Sequence, residues 1–296
     1  MFTDLIGLQS GWKSLPYNWR DVALYALAVG ADENDLLYTY EKNMKAIPSF
    51  AATPYYNGVN VLPKQPRPYP ANYMVADRLS QMLGHPINMG FHMGFQMEMK
   101  RPIAPIKGTM VFNNVVDKIY DRGKGKGLDL EIRNEVCDES GNLICVNTSY
   151  HRFKGEGVDG WGGPAPVKKV VGYPDRAPDK TVDSYISKTQ NVLYRLTGDT
   201  NLSHVDPDVA KTQCERGVFM QGLSSLGFAT LLAIKAFIPG QPERMKRIYV
   251  QMRSMAFPGT PVQLQAWQTG ETSAVFRYVD MESGKAILDN CEFEWE

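Results

Sequence analysis

The hydrophobic pattern has a helical period in three segments of the chain. Residues 19–31, WRDVALYALAVGA, place apolar side chains at helical spacing between Asp21 and Gly30, and both end residues are typical of helix boundaries. A second helix is predicted around residues 72–83. Residues 223–237, LSSLGFATLLAIKAF, are apolar on nearly every side. A helix of that kind is expected to be buried.

Alternating and β-branched runs predict strands in most of the remaining chain. In the first half these runs are GFQMEMKRPI, TMVFNNVVDKIYD, LDLEIRNEVC and LICVNTSYHRF. The turn formers DESGN, residues 138–142, predict a hairpin between the last two runs. In the second half the runs are RIYVQMRSMAF, VQLQAWQTG, TSAVFRYVD and KAILDNCEFEW. Two shorter segments, DLLYTYEK and PSFAATPYY, are also predicted as β-type, and the Pro-rich LPKQPRPYP follows them.

A stretch rich in glycine and proline between about residues 155 and 185 divides the chain into two similar lengths. Such a segment is expected to run over a surface and to join domains. We therefore predict an N-terminal half over 1–160, a linker over 161–180 and a C-terminal half over 181–296. A buried helix followed by antiparallel strands is the order of a hot-dog domain. The predicted fold class is α+β, a double hot-dog with an antiparallel sheet wrapped around a central buried helix.

Charge and composition exclude several classes of function. The chain of 296 residues has 32 Lys plus Arg and 32 Asp plus Glu, so it lacks the basic field that nucleic-acid binding requires. There is no apolar run long enough for a transmembrane helix and no signal-like start. The 4 cysteines form no CxxC pair, which is typical of free thiols in a reducing compartment. We expect a cytoplasmic protein that is not associated with a membrane.

Neither a dinucleotide site nor a metal site is expected. Residues 155–160, GEGVDG, match GxGxxG but are followed by WGGPAP, which does not open the helix that a dinucleotide site requires. The histidines are His85, His92, His151 and His204. They show no metal-ligand spacing with one another or with cysteine. No resident cofactor is therefore predicted.

The segment YRLTGDTNLSHVDPDVA, residues 194–210, carries the strongest chemical pattern. It places Asp199, Asn201 and His204 just before a helix that Asp206 and Pro207 begin. A carboxylate and an imidazole can share proton transfers, and an amide can hold a water molecule. By spacing alone, such residues are more often a turn followed by a capped helix, with His204 as a polar side chain of the fold.

This segment is similar to the hydratase 2 motif of the MaoC-like family, YRLSGDxNPLHxDPxxA. The resemblance implies that Asp199, Asn201 and His204 are the catalytic residues. Leu202 and Ser203 depart from the motif without removing a chemical group.

Other segments extend the resemblance over nearly the whole chain. FMQGLSSLGFA resembles ILHGLCTYGFA, which implies that the N–H group of Gly222 is the oxyanion donor, with Gln221 in place of the usual histidine. FHMGFQMEM stands where related proteins read LHGEQ, so His92 and Gln96 match loosely.

The resemblance implies reversible hydration of a trans-2-enoyl-CoA to a (3R)-3-hydroxyacyl-CoA. The partner would be an acyl-CoA thioester, CoA being part of the substrate. The Met- and Tyr-rich stretch from Tyr69 to Met99 suggests that the first half encloses the acyl group. A homodimer is compatible with the family. Two alternatives stay open from the sequence. One is a hot-dog acyl-CoA thioesterase, and the other is a subunit that binds acyl-CoA without catalysis.

Overall fold

The computed structural model describes residues 2–57, 71–87, 90–155 and 157–296. The Pro-rich passage LPKQPRPYP lies outside these residues. The helices are α1 Trp19–Ala28, α2 Leu36–Thr39, α3 Pro54–Asn57, α4 Ala71–Leu83, α5 Gln190–Arg195, α6 Pro207–Lys211 and α7 Gly222–Phe237. The strands are β1 Lys13–Asn18, β2 Phe91–Met99, β3 Lys107–Asp121, β4 Leu128–Cys137, β5 Leu143–Phe153, β6 Lys180–Ile186, β7 Met245–Met252, β8 Thr260–Gly270, β9 Ser273–Asp280 and β10 Ala286–Trp295. Short 3₁₀ turns lie at Phe2–Leu5, Pro48–Ala52, Leu202–His204 and Pro242–Arg244.

The strands form one antiparallel sheet with the order β1-β3-β4-β5-β2-β7-β10-β9-β8-β6. Counted from its outer edge, the first half has the order 1-3-4-5-2 and the second has 6-8-9-10-7. The two halves therefore share one topology. They meet where β2 pairs with β7, from Gly94 opposite Gln251 to Glu98 opposite Arg247. We call this pairing the seam. The predicted antiparallel double hot-dog is confirmed.

Helix α7 is the central buried element, as its all-round apolar sequence predicts. Twelve of its residues are buried, from Leu223 to Ile234. Its close packing against α1 depends on Gly227. A Cβ atom at this position would lie 2.3 Å from Cγ1 of Val29. Because α1 belongs to the first half, α7 is part of the core that joins the two halves.

Three predictions about local structure in the first half need correction. Helix α1 begins after Asn18, whose side chain accepts the N–H of Arg20, while Asp21 completes a capping box from the third position and is not itself the cap. DLLYTYEK contains the short helix α2. PSFAATPYY contains the 3₁₀ turn from Pro48 and the helix α3. Pro48 and Pro54 begin these two elements, and proline suits a first helical turn because an N–H donor is not needed there.

A second glycine-rich segment, GKGKG at residues 123–127, is joined to the 155–160 segment through the carboxylate of Asp121. Asp121 accepts hydrogen bonds from the N–H groups of Gly123 at 2.8 Å, Gly160 at 2.9 Å and Gly162 at 2.8 Å. Burial alone would raise the pKa of Asp121, but these N–H groups lower it below its ordinary value. The motifs therefore anchor the start of the linker to the end of β3, and GEGVDG opens no helix.

The linker then crosses the second half of the sheet as an extended segment. Tyr173 donates its hydroxyl to Asp289 at 2.7 Å. Trp267 donates its ring N–H to the carbonyl of Arg176 at 2.8 Å. Lys169 pairs with Glu292. These contacts fix the segment across β8, β9 and β10 on the surface of the sheet.

Candidate active site

The residues from 196 to 206 form a loop held in place by local hydrogen bonds. Arg195 at the end of α5 donates to the carbonyl of Thr200 at 2.6 Å. Asn201 accepts the N–H of Ser203 at 3.2 Å and so caps the 3₁₀ turn Leu202–His204. Asp206 accepts the N–H of Asp208 at 2.9 Å and caps α6, as the sequence predicts. These bonds hold the loop that carries Asp199, Asn201 and His204.

A backbone carbonyl determines the proton position on His204. The Nδ1 atom lies 3.0 Å from the carbonyl oxygen of Phe219. A carbonyl oxygen only accepts, so Nδ1 carries the proton and Nε2 of the neutral ring keeps a lone pair. The ring is buried and packs edge-on against Phe219, with centroids 5.0 Å apart. His204 is therefore oriented as a proton acceptor at Nε2.

Asp199 is a buried carboxylate beside this histidine, with an exposed fraction of 6 %. One of its oxygens accepts the N–H of Asn201 at 3.2 Å. Burial raises the pKa of Asp199, while the positive charge that His204 gains when it takes up a proton, the charge of Arg195 and the N–H of Asn201 oppose that rise. A carboxylate with a raised pKa holds a proton more readily than an exposed one does. Asp199 and His204 thus form an interacting pair suited to proton transfer.

Gly222 is the first residue of α7, close in sequence to the carbonyl that holds His204. The first N–H groups of a helix have no partner within the helix, and Gln221 makes no side-chain capping bond. Instead, Gln221 donates to the carbonyl of Asn191 at 3.0 Å. The Asn191 amide in turn donates to the carbonyl of His204 at 2.7 Å. Gln221 and Asn191 therefore link the start of α7 to the loop. The sequence pattern did not indicate Asn191.

The first half brings His92 to the same place. A Cβ atom on Gly222 would lie 3.6 Å from Nδ1 of His92 and 3.0 Å from Sδ of Met252. His92 and Met252 lie on β2 and β7 respectively, so both sides of the seam border the start of α7. Sequence comparison matched His92 only loosely, because the segment has one residue more than LHGEQ.

That additional residue forms a β-bulge. On β2, Phe95, Met97 and Met99 are buried at alternate positions, and this period would also direct residues 93 and 91 inward. Between His92 and Gly94 the register with β5 shifts by one residue. As a result His92 faces inward, stacked on His151 at 4.8 Å, and Phe91 is 60 % exposed. Bulges often redirect side chains next to active sites.

The described ranges offer neither a metal site nor a membrane-spanning helix. No group of three His, Cys, Asp or Glu side chains there could hold a metal ion. Within the same ranges, no helix is long and apolar enough to cross a membrane.

Comparison with known proteins identifies both halves. Residues 15–155 match the MFE-2 hydratase 2 N-terminal domain, and residues 169–290 match the MaoC like domain. A probable enoyl-CoA hydratase 2 of Dictyostelium discoideum is 29% identical over 94% of this chain and 91% of its own. The peroxisomal enoyl-CoA hydratase 2 of Arabidopsis thaliana is 28% identical over 92% of this chain and 88% of its own. The expected cytoplasmic location stays a prediction, since that relative is named peroxisomal.

Among solved structures, a MaoC-like dehydratase from Phytophthora capsici has a TM-score of 0.83 and 29% identity. The alignment covers 99% of this chain and 98% of that one. The two domain matches follow each other in the order of the two halves, and the likeness extends over the complete sheet. The chain belongs to the MaoC-like hydratase 2 family, in its double hot-dog form.

Proposed function

We propose that the protein catalyses the reversible addition of water to a trans-2-enoyl-CoA, giving a (3R)-3-hydroxyacyl-CoA. Its family makes the protein a hydro-lyase. The observation that carries the proposal is the pair formed by buried Asp199 and His204, with His204 Nδ1 bound to the Phe219 carbonyl. Acyl-CoA is the substrate class in the names of the relatives, and CoA is part of that substrate.

In the proposed reaction, Asp199 and His204 accept a proton from water as its oxygen bonds to C3 of the enoyl group. The electrons of the C2–C3 double bond move toward the thioester, which becomes an enolate. The N–H of Gly222 stabilises the negative oxygen, a role for which a donor in a water-poor site is well suited. The pair then returns the proton to C2. One water molecule is consumed, and no resident cofactor is required for the proton balance.

Asn201 is proposed to position the water molecule. Its side-chain oxygen is already used in capping, because it accepts the N–H of Ser203. The amide nitrogen is therefore the group that can donate to the water oxygen and direct a lone pair toward C3. The conformation that makes the 3₁₀ turn thus also sets the orientation of this amide.

A single loop supplies both proton transfers, so the hydroxyl group and the proton are expected on the same face of the double bond. This geometry gives syn addition. The 3R configuration comes from the family resemblance at Asp199, Asn201, His204 and Gly222. The same residues serve the reverse reaction, because water addition and water loss share one transition state.

Hydration of crotonyl-CoA, followed by chiral analysis of the product, tests the proposal. Asp199→Asn and His204→Ala should each lower kcat by about 10²–10⁴-fold, the usual contribution of a positioned proton-transfer group. The double variant should be little worse than either single variant. His85→Ala, at an exposed position away from the site, is the matched control and should retain full activity.

Several results would contradict this proposal. They are a predominantly 3S product, more than about a tenth of the rate in either single variant, or release of free CoA thiol in place of hydration. The last result would indicate a thioesterase. Binding of enoyl-CoA without turnover would indicate the non-catalytic subunit.

A further inference from the structure

A chain of buried polar side chains runs through the first half and ends at His92. Ser149 lies 2.8 Å from Nε2 of His92 and 2.8 Å from Nε2 of His151. The hydroxyl of Tyr55 lies 2.6 Å from the same nitrogen of His151. Tyr55, Ser149 and His151 are each exposed by 1 % or less. Polar groups so deeply buried require hydrogen-bond partners, so their proton positions are strongly constrained.

Two arrangements of the polar protons leave Nε2 of His92 as an acceptor. Ser149 has one hydroxyl proton and two imidazole neighbours. If His151 Nε2 carries a proton, it can donate to Ser149 and Tyr55, and the Ser149 proton is left for His92. If His151 Nε2 is bare, the nearer Tyr55 hydroxyl takes its lone pair, and the Ser149 proton again goes to His92. In these two arrangements Ser149 donates to Nε2 of His92, and the ring proton of His92 then lies on Nδ1.

The surroundings of His92 favour the neutral ring. Burial lowers the pKa of His92 to about 4, although a backbone bond to Gly94 opposes the change. The ring is stacked between neighbours, 4.8 Å from His151 and edge-on to Phe95 at 6.0 Å. A neutral imidazole in this tautomer presents one N–H group, at the atom that lies nearest to Gly222.

We propose that His92 donates its Nδ1 proton to the thioester oxygen bound by the N–H of Gly222, as a second donor of the oxyanion site. Ser149 acts through His92 as a positioning residue, since its hydroxyl fixes the tautomer. The bond to Gly94 is compatible with this role, because one N–H can be shared between two acceptors. The inference rests on the proposed hydration, and it makes the first half a contributor to the chemistry as well as to substrate enclosure.

Polarisation of the carbonyl is measured separately from turnover. An arylacryloyl-CoA, in which the ring is conjugated with the enoyl thioester, shifts its absorption to longer wavelength when donors polarise the carbonyl oxygen. The shift is recorded with Asp199→Asn protein, in which slow turnover leaves the bound thioester intact. Adding His92→Phe to that variant should abolish most of the shift, whereas adding His92→Gln, which retains an N–H donor, should preserve part of it.

Turnover gives the second test. With crotonyl-CoA, His92→Phe in the otherwise unchanged chain should lower kcat by about 10²-fold, the usual effect of losing one oxyanion donor. His92→Gln should lose less. Ser149→Ala should lower kcat to a smaller extent and leave KM almost unchanged, and Ser149→Thr should restore the rate because it keeps the hydroxyl group. His85→Ala again serves as the histidine control.

The outcomes separate the two proposals. Unchanged kcat and an unchanged absorption shift in His92→Phe overturn the role of His92, provided that Asp199→Asn is inactive. Equal losses in His92→Phe and His92→Gln, with no difference in the shift, also overturn it, because packing would then be the cause. If Asp199→Asn itself retains full activity, the hydration proposal fails and not merely the second donor.

Discussion

The two halves of the sheet have the same strand order, but the second half has an apolar interior and the first half has a partly polar one. In the second half, the strand next to the seam strand, β10, faces inward with apolar residues: Leu288, Cys291, Phe293 and Trp295. In the first half the equivalent strand, β5, faces inward with Asn147, Ser149 and His151 between Cys145 and Phe153. The second half surrounds one continuous helix, α7. In the first half this space is occupied by short helical segments, including the 3₁₀ turn Pro48–Ala52.

This contrast shows that one topology can support two different tasks. The apolar interior of the second half holds helix α7, and Gln221 and Asn191 link the start of this helix to the loop of residues 196–206. The polar interior of the first half would be unstable without a complete hydrogen-bond network. Asn147 donates to the carbonyl of Ala51 at 3.0 Å and to Asn134 at 2.9 Å. Asn134 donates to Asn114 at 2.8 Å. This network supports the strand that brings Ser149 against His92.

Separating the halves should have the largest effect. A fragment of residues 175–296 would leave the seam edge of β7 unpaired and would remove the α1 contact of α7 at Gly227. We expect it to aggregate or to be inactive, because unpaired edges and exposed apolar faces promote association. Co-expression with residues 1–174 should restore soluble, active protein. A soluble fragment with full activity would contradict the view that the halves form one core.

The polar network of the first half provides the next test. Asn147→Ala would leave the buried acceptors on Ala51 and Asn134 without this donor. Each such group typically costs about 1–3 kcal/mol, so we expect the free energy of unfolding to fall by about 2–4 kcal/mol. Urea denaturation measures the change, and Asn34→Ala at an exposed position is the control. A loss below about 0.5 kcal/mol, the range of ordinary surface changes, would show that the network is not stabilising.

The packing between the halves should respond more weakly. Gly227→Ala would place a methyl group 2.3 Å from Val29 and 2.9 Å from the hydroxyl of Tyr25. Overpacking commonly costs about 1–3 kcal/mol, and the better helix propensity of alanine returns up to about 1 kcal/mol. We therefore expect a net loss of about 1–2 kcal/mol. Val29→Ala combined with Gly227→Ala should be less destabilised than the two single losses added together. If the two losses in unfolding free energy were strictly additive, contact with Val29 would not be the source of the strain in Gly227→Ala.

The smallest expected effect concerns the charge on Asp199. Because burial raises its pKa above the unfolded value, ionisation costs the folded state stability as pH rises through the folded pKa. Asp199→Asn should therefore raise Tm at pH 8, and the gain should shrink toward the ordinary carboxyl range. Asp175→Asn, at an exposed carboxylate, should show no such trend. A lower Tm for Asp199→Asn at pH 8 would contradict the predicted sign.

Sequence reasoning located the second half more completely than the first. The buried helix, the loop from Asp199 to His204 and the cap at Asp206 each depend on nearby residues, so local patterns contain the necessary information. Asp199, Asn201 and His204 lie on one loop, and Asn191 and Gln221 link that loop to the start of α7 at Gly222. The catalytic roles of these residues stay predictions. The long strands β3, β4 and β5 were also predictable, because their inward and outward residues alternate clearly.

The failures have a common physical origin in non-local structure. Strands β1 and β6 are sheet edges with little burial and were not predicted as strands. The two segments predicted as β-type contain short helices, and the second of them begins with the fully buried turn Pro48–Ala52. His92 was missed because its inward direction depends on a bulge that appears only when β2 is paired with β5. Its proximity to Gly222 depends further on the seam, which joins residues far apart in the chain.

The seam also determines when the sheet can finish folding during synthesis of the chain. Glu98 of β2 pairs with Arg247 of β7, about 150 residues later. At about 5–20 residues per second, the edge of β2 waits roughly 8–30 s for its partner strand to be made. During that interval an unpaired edge invites pairing with other chains. Glu98 and Lys100 place charges at the end of this strand, and charged residues are a common protection of exposed edges. The first half must therefore persist as a nascent intermediate before the sheet closes.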